Sequence, residues 1–235
     1  MRIVRTPSPN CDERPAGVRP ELLVLHYTDT NTLDETLAIL LDPAREVSAH
    51  YVVAEDGTIH ALVDESRRAW HAGKACWRGM RDVNARSIGI EIQNPGHRCG
   101  YRAFPDAQID AVIGLARDIL TRHAIAPRDI VGHSDIAPTR KRDPGELFPW
   151  RRLAAAGVGL SAEPVGAPRD PGDIAGAQRA LAEIGYDCPQ SGTPDEGTVA
   201  ALVAFQRHWR QHLFDGRLDG ETRAILDAVR AQIFP

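Results

Sequence analysis

A segment rich in glycine and proline divides the chain and limits what it can fold into. Residues 157–173 read GVGLSAEPVGAPRDPGD, and seven of these seventeen residues are Gly or Pro. No helix or strand periodicity survives in such a segment, so it predicts a linker, which we place at 157–172. The 235-residue chain is therefore expected to form two domains, at residues 1–156 and 173–235.

The first of these domains alternates strand patterns with helix patterns. Residues 22–25 form a short apolar run typical of a buried strand, and residues 88–92 alternate in polarity with period two. An Asp-Gly turn at residues 56–57 predicts a hairpin. Residues 32–35 read as a capping box that opens a helix, and residues 106–123 carry an amphipathic stripe. The pattern predicts an α/β fold with a mixed central sheet flanked by helices.

The second domain contains only helix patterns. They begin near Asp173, Thr198 and Glu221 and predict a small three-helix bundle. A weak internal repeat lies here, because GTPDEGT at residues 192–198 resembles GRLDGET at residues 216–222. Each copy is a glycine turn followed six residues later by a threonine that could cap or open a helix.

Composition excludes two classes of partner. The net charge is −4 and the pI is about 6.1, so the chain lacks the basic footprint of a nucleic-acid-binding protein. No apolar run approaches the roughly 18 residues of a membrane span. We expect a monomer.

The compartment is less constrained than the partners. No apolar segment follows the basic N-terminus, so no secretory signal is read in this chain, and we expect a cytoplasmic protein. Cys11, Cys76, Cys99 and Cys188 match no zinc knuckle and are expected to be free thiols. The alternative is a periplasmic or wall-associated protein, with a Cys76–Cys99 disulfide.

A polar loop at residues 132–145 carries the first sign of chemistry. It follows the short apolar stretch 130–131 and crowds charged side chains and an imidazole among prolines and glycines, which indicates a site rather than a core element. His133 and Asp143 could meet if the loop folds back, and both are zinc ligands by type. His26, at the end of the first strand pattern, is the best-placed third ligand. The alternative is that His26 is a hydrogen-bonded structural residue.

Several stretches occur in one order along the first domain. They are Val24-Leu-His-Tyr-Thr28, Ser48-Ala-His-Tyr-Val-Val53, Ala69-Trp-His-Ala-Gly73, Asn84-Ala-Arg-Ser-Ile-Gly-Ile-Glu-Ile92 and Gly132-His-Ser-Asp-Ile-Ala-Pro138, continuing through Lys141, Asp143-Pro-Gly145 and Phe148-Pro-Trp150. In the sequence and the order of these stretches, the chain resembles the amidase-2 group of zinc-dependent N-acetylmuramoyl-L-alanine amidases. That group is related to peptidoglycan recognition proteins and phage amidases.

The resemblance implies a role for each matching position. His26, His133 and Asp143 would bind one Zn²⁺. Glu91 would act as the general acid and base, and Lys141 would stabilise the negative oxygen of the transition state. The side chains that the resemblance implies for substrate binding are Trp70, His71, Asn84 and Arg86. His50 also lies in a matching stretch, but we interpret it as a structural histidine, and His97 and His208 as surface or packing residues.

The C-terminal domain resembles the small helical peptidoglycan-binding domain that often accompanies such amidases. The resemblance rests on Gln178, Gly185-Tyr186, Gly192 and Thr198, and on Phe205-Gln206 followed by Asp219 to Thr222. We interpret Phe205 and Trp209 as core residues rather than as a platform for a ligand.

The function implied is hydrolysis of the amide bond between N-acetylmuramic acid and L-alanine. The partners would be muropeptides or the intact sacculus, in wall turnover or recycling. Two alternatives stay open: a recognition module that binds peptidoglycan without cleaving it, and a lytic amidase of the phage type. The intact set of His26, His133 and Asp143 with Glu91 and Lys141 favours an enzyme.

Overall fold

The computed structural model describes residues 1–162 and 170–234. Residues 163–169 of the expected linker lie outside the described residues. The strands are β1 Ile3–Arg5, β2 Cys11–Glu13, β3 Leu22–Tyr27, β4 Tyr51–Val53, β5 Ile59–Ala61, β6 Arg67–Ala69, β7 Ser87–Ile92 and β8 Ile130–Gly132. The helices are α1 Leu33–Leu41, α2 Val83–Arg86, α3 Gly96–Cys99, α4 Asp106–Arg122, α5 His133–Ile136, α6 Trp150–Ala155, α7 Ile174–Ile184, α8 Glu196–Trp209 and α9 Gly220–Ile233.

A mixed sheet forms the centre of the first part of the chain, as the sequence predicts. Within the described ranges it has six strands in the order β1-β5-β4-β7-β3-β8. The β4–β5 pair is the antiparallel hairpin predicted from the Asp-Gly turn, and β3 lies between β7 and β8 in parallel register. The short strands β2 and β6 form a separate antiparallel pair that the sequence pattern did not reveal.

The central strands are buried because both of their faces are covered. Residues 22–25 of β3 are fully buried, as are the isoleucines of β7 at 88, 90 and 92. The long helix α4 packs on one face through Ile109, Val112 and Ile119, which share a core cluster with β7. Parallel strands covered on both faces carry continuous apolar runs. This explains why β3 is recognisable from sequence.

Residues 170–234, as described, contain three helices, as expected. The side chains of Asp173, Asp195 and Asp219 accept hydrogen bonds from backbone N–H groups in the first turns of α7, α8 and α9. Aspartate suits this position because it satisfies an otherwise unpaired donor and a carboxylate is favoured at a helix N-terminus. The helix α8 begins at Glu196, two residues before the predicted start, because Asp195 rather than Thr198 is its cap.

The two parts share one core, which the linker pattern did not predict. A single cluster of buried side chains joins Leu22, Trp77 and Val131 of the first part to Leu181 and Phe205 of the second. The helical bundle is thus packed against the sheet domain. No helix among the described residues is long and apolar enough to cross a membrane.

Candidate active site

Three strands bring the chemistry to one edge of the sheet. His26 lies near the end of β3 and is the register partner of Glu91 on β7. On the other side of β3, the strand β8 ends at Gly132, and His133 follows directly as the first residue of α5. Carboxyl ends of parallel strands meet at the same edge of a sheet, where ligands of open α/β folds bind.

His26, His133 and Asp143 converge within the described chain. The Nδ1 atoms of the two histidines are 2.9 Å apart, and Asp143 Oδ2 lies 3.1 Å from His26 Nδ1 and 2.9 Å from His133 Nδ1. All three residues are buried. The loop that carries Asp143 is held against α5, because Ser134 N donates to Asp143 O at 2.9 Å.

Hydrogen bonds at the Nε2 atoms of His26 and His133 indicate where the ring protons of these two histidines lie. The nitrogen His133 Nε2 is 3.0 Å from Ala72 O, which can only accept, so His133 carries its proton on Nε2. Ser87 Oγ donates to Val83 O at 2.6 Å and therefore accepts from His71 Nε2 at 3.1 Å. His71 Nδ1 is then the acceptor for His26 Nε2–H at 2.9 Å.

When their rings are neutral, His26 and His133 both direct an unprotonated Nδ1 toward the carboxylate of Asp143. Burial and the neighbouring His133 lower the pKa of His26 to about 4, and burial with His26 and His50 holds the pKa of His71 well below its usual value, so the rings of His26 and His71 are neutral. Three lone-pair donors facing one another repel unless a cation lies between them. Neutral imidazole and carboxylate are the ligand types of zinc centres, and three protein ligands leave a position open for chemistry.

Glu91 and Lys141 line a cavity whose wall also contains His133 and Asp143. This cavity has a volume of about 470 Å³, and its wall also includes Tyr27, Thr28, Asp29, His71, His97, Arg98, Arg140 and Arg142. Glu91 Oε2 is buried and accepts no hydrogen bond from the described residues. Burial, reinforced by the charge of Asp143 and opposed by Lys141, raises the pKa of Glu91 well above its usual value. A carboxyl held in this way is suited to proton transfer.

The four residues expected to bind substrate are placed differently from one another. Only His71 is among the residues that line this cavity. The Asn84 side-chain oxygen accepts from the backbone N–H groups of His71 and Ala72, at 3.1 and 2.8 Å. Trp70 Nε1 donates to Asp12, and Arg86 pairs with Glu21.

Direct substrate contact by Trp70, Asn84 and Arg86 thus stays a prediction from sequence, and their observed partners favour a supporting role. His71 makes two kinds of contact. It reaches the cavity wall, and it also supports His26 from behind.

Other residues of the cavity wall were not singled out from the sequence. Arg140 and Arg142 flank Lys141, and a run of three cations reads equally well as a solvated surface. His97 donates or accepts at Tyr27 Oη, 2.9 Å away, and contacts Glu146 with its other nitrogen. His97 is thus a packing residue against Tyr27 and Tyr101, and it also lines the cavity. His50 is fully buried and bonded to Gly89 N at 3.0 Å, which agrees with a structural histidine.

Comparison with known families gives two matches along the chain. Residues 16–146 match the N-acetylmuramoyl-L-alanine amidase family, and residues 171–226 match a family described as a peptidoglycan binding domain. The first match contains His26, Glu91, His133, Lys141 and Asp143.

Known proteins and structures resemble both parts. The N-acetylmuramoyl-L-alanine amidase AmiD of Escherichia coli K12 is 42% identical over 231 residues, covering 90% of this chain and 82% of AmiD. A structure of AmiD from E. coli, in complex with the substrate anhydro-N-acetylmuramic acid-L-Ala-D-γ-Glu-L-Lys, superposes with a TM-score of 0.82 at 38% identity, covering 94% of this chain and 93% of that one. The 1,6-anhydro-N-acetylmuramyl-L-alanine amidase AmpD of Citrobacter freundii is 33% identical, but the match spans only 64% of this chain against 88% of AmpD.

Proposed function

The chain belongs to the N-acetylmuramoyl-L-alanine amidase family, and we propose that it performs the reaction with one Zn²⁺ held by His26, His133 and Asp143. The reaction is hydrolysis of the amide bond between N-acetylmuramic acid and L-alanine of the stem peptide. The observation that carries the zinc proposal is the convergence of the Nδ1 atoms of His26 and His133 and a carboxylate oxygen of Asp143 within 3.1 Å of one another.

Each remaining group has a task that its surroundings support. Zinc, when bound, would lower the pKa of a water to about 7 and polarise the scissile carbonyl. Glu91 takes the proton of the attacking water and returns it to the leaving amine, because its carboxyl is buried beside the donors with one oxygen unpaired. Lys141 makes no ion pair with another described residue, so its ammonium is available to the developing negative oxygen.

The substrates we propose are muropeptides, including those with a 1,6-anhydro sugar. The supporting observation is the likeness to AmiD, whose structure holds an anhydro-muropeptide as substrate. The residues we assign to the cavity wall for the peptide are His71 and the cationic Arg140 and Arg142. The stem peptide carries carboxylates, which arginines bind through charge-assisted hydrogen bonds.

The compartment forms a separate proposal. All four cysteines are free thiols, and free thiols are most common in reducing compartments. We propose a cytoplasmic role in recycling wall fragments. Cell fractionation with thiol labelling tests it, and recovery of the protein in the periplasmic or wall-associated fraction would overturn it.

The decisive experiment is incubation of the zinc-loaded protein with purified muropeptides and with intact sacculi. We expect release of free stem peptide, measured by liquid chromatography and mass spectrometry. Glu91→Gln should retain zinc and lose about 10²–10⁴-fold in kcat, whereas His133→Ala should lose zinc. Binding of muropeptide without release of peptide would establish a recognition module instead. Lysis of intact cells from outside would point to a lytic enzyme.

A further inference from the structure

A buried carboxylate joins the two domains close to the proposed zinc ligands. Asp135 lies in α5 of the first domain and is completely buried. Its oxygen Oδ1 accepts from Tyr186 Oη at 2.8 Å, and Oδ2 accepts from His208 Nδ1 at 2.7 Å. Both donors belong to the C-terminal domain. Burial and the neighbouring carboxylate raise the pKa of Tyr186 well above its usual value, so the phenol keeps the proton that it donates.

Asp135 is fixed within the segment that presents the zinc ligands. Its Oδ2 also accepts from Gly132 N at 2.7 Å, which closes the turn in which His133 begins α5. The neighbouring Ser134 N holds the carbonyl of Asp143 at 2.9 Å. One short helix therefore determines the position of two of the three donors, and Asp135 is the side chain through which the second domain reaches this helix.

The contact around Asp135 is close-packed. The ring of His208 is stacked between Trp150 and Trp209, with centroid separations of 3.7 and 4.4 Å. Gly185, at a φ of 145°, lies so close to Trp77 that a Cβ there would be 2.6 Å from the indole ring. Arg78 N donates to Gly185 O at 2.8 Å across the same boundary. A contact of this kind fixes one relative position of the domains.

A second set of contacts holds the chain that follows Asp143. The side-chain amide of Gln211 donates to the carbonyl oxygens of Glu146 and Phe148, at 2.7 and 2.6 Å. Glu146 also faces Arg207, at 3.4 Å, and His97 of the cavity wall, at 3.1 Å. The C-terminal domain thus contacts the chain on both sides of Asp143, at Asp135 before it and at Glu146 and Phe148 after it.

Loss of the hydrogen bonds from Tyr186 and His208 would leave the buried carboxylate of Asp135 with Gly132 N as its one remaining donor among the three described. A buried charge that loses its donors is strongly unfavourable, so we expect the chain to respond by exposing Asp135 and displacing α5.

We propose that the C-terminal domain is a structural part of the zinc site, in which Tyr186 and His208 act as positioning residues through Asp135. This rests on the proposed function, because it assumes that His133 and Asp143 bind the metal. A domain that served only to hold the enzyme on the wall would affect cleavage of sacculi and leave cleavage of small muropeptides unchanged. A domain that holds His133 and Asp143 in position affects the cleavage of sacculi and of small muropeptides equally.

The test compares two variants that each remove one buried hydrogen bond from the C-terminal domain. Tyr186→Phe removes the donor to Asp135, and Thr198→Val removes the acceptor of Gln178 inside the bundle, at 2.7 Å in the structure. The measurements are the zinc dissociation constant, by competition with a chelator, and kcat and KM on a soluble muropeptide. Circular dichroism and the melting temperature report folding.

We expect Tyr186→Phe to weaken zinc binding about 10-fold, the lower end of what loss of an outer-shell partner costs, and to lower kcat with little change in KM. Thr198→Val should lower the melting temperature and leave the zinc dissociation constant unchanged. In an Asp135→Ala background, which has no acceptor for Tyr186, the change Tyr186→Phe should have no further effect on zinc. Equal zinc affinity in the wild type and in folded Tyr186→Phe would overturn the proposal.

A second pair of variants keeps the test decisive if Tyr186→Phe does not fold. His208→Gln retains a donor toward Asp135, and His208→Leu does not. We expect near-normal zinc affinity for the first and weakened affinity for the second, and the same affinity in both would contradict the proposal. If the wild type itself binds no zinc, the proposed function fails, which is a distinct result.

Discussion

At the scale of single residues, proton positions decide what the site can bind. A histidine offers a metal only the nitrogen that carries no proton, and a hydrogen bond at the other nitrogen selects it. Here a relay of hydrogen bonds runs from Val83 O through Ser87 and His71 to His26 Nε2–H. It leaves Nδ1 of His26 without a proton. Gly89 leaves room for this arrangement, because a Cβ at that position would lie 2.5 Å from the His71 ring.

Ser87→Ala tests this relay. Removing the hydroxyl deprives His71 of its acceptor, so the proton is no longer held on Nε2 and His26 loses a fixed partner. We expect zinc affinity to fall about 10-fold, measured by chelator competition, with the fold intact by circular dichroism. Ser66→Ala, at an exposed turn, is the control. An unchanged zinc affinity in Ser87→Ala would show that these hydrogen bonds do not influence metal binding by His26.

Lys141→Ala tests the proposed stabilisation of negative charge. The ammonium is expected to act in the transition state, so kcat should fall about 10²–10³-fold while KM changes little. Zinc content should stay at one equivalent, because Lys141 is not among the three donors. A loss confined to KM would show that Lys141 only binds substrate. Arg98→Ala, at an exposed position of the cavity wall, serves as a comparison.

At the scale of helices and strands, the weak repeat of the C-terminal domain has a structural explanation. The buried side chain of Gln178 accepts from Gly192 N and donates to Thr198 Oγ1, at 2.8 and 2.7 Å. Gln206 makes the same pair of contacts with Gly216 N and Thr222 Oγ1, at 2.8 and 3.1 Å. Each glutamine thus ties a glycine turn to the first turn of the next helix. The repeated residues therefore make equivalent structural contacts in the two copies.

Glu65 connects the end of α4 to the sheet and gives a pH-dependent prediction. Its carboxylate accepts from Tyr51 Oη at 2.7 Å and from Arg122 and His123. Burial alone would raise the pKa of Glu65, but these donors outweigh it and lower the pKa to about 2. Because the folded pKa lies below the unfolded one, near 4.5, the stabilisation is complete above pH 4.5 and is lost as the pH falls toward 2.

We therefore expect Glu65→Gln to flatten the pH dependence of the free energy of unfolding between pH 4.5 and 2. The variant should lose on the order of 2 kcal/mol at neutral pH and progressively less in acid. Urea titrations at a series of pH values measure this difference. Glu55→Gln, in an exposed ion pair with Arg102, should keep the wild-type slope. Parallel curves for Glu65→Gln and the wild type would contradict the assignment.

At the scale of the whole molecule, the two domains behave as one packed body in the described chain. Trp77 of the first domain contacts Tyr186 of the second with ring centroids 5.2 Å apart, inside a core cluster that both domains share. A shared core couples the unfolding of its parts, whereas a domain on a free tether unfolds independently. The glycine- and proline-rich segment therefore connects two domains without separating them.

Calorimetry provides the corresponding prediction. We expect one unfolding transition, with equal calorimetric and van't Hoff enthalpies, and a midpoint that coincides with loss of the tryptophan fluorescence signal. Gly185→Val should lower this midpoint, because the new side chain would collide with Trp77 at the boundary. Gly17→Val, at an open surface position, is the control for backbone strain at a positive φ. Two separate transitions in the wild type would contradict the shared core.

The sequence by itself determined the mixed sheet, the three C-terminal helices and the ligand types gathered at the site, because apolar periodicity, capping residues and ordered motifs are local properties. It did not predict the short strands β2 and β6, whose pairing depends on residues far apart in the chain. It also did not predict the partners of His208 and Tyr186, because a histidine or tyrosine in a helical pattern gives no sign of a partner in another domain. Only the tertiary structure placed these two side chains on Asp135, since burial and hydrogen bonding are decided by the packing of the two domains.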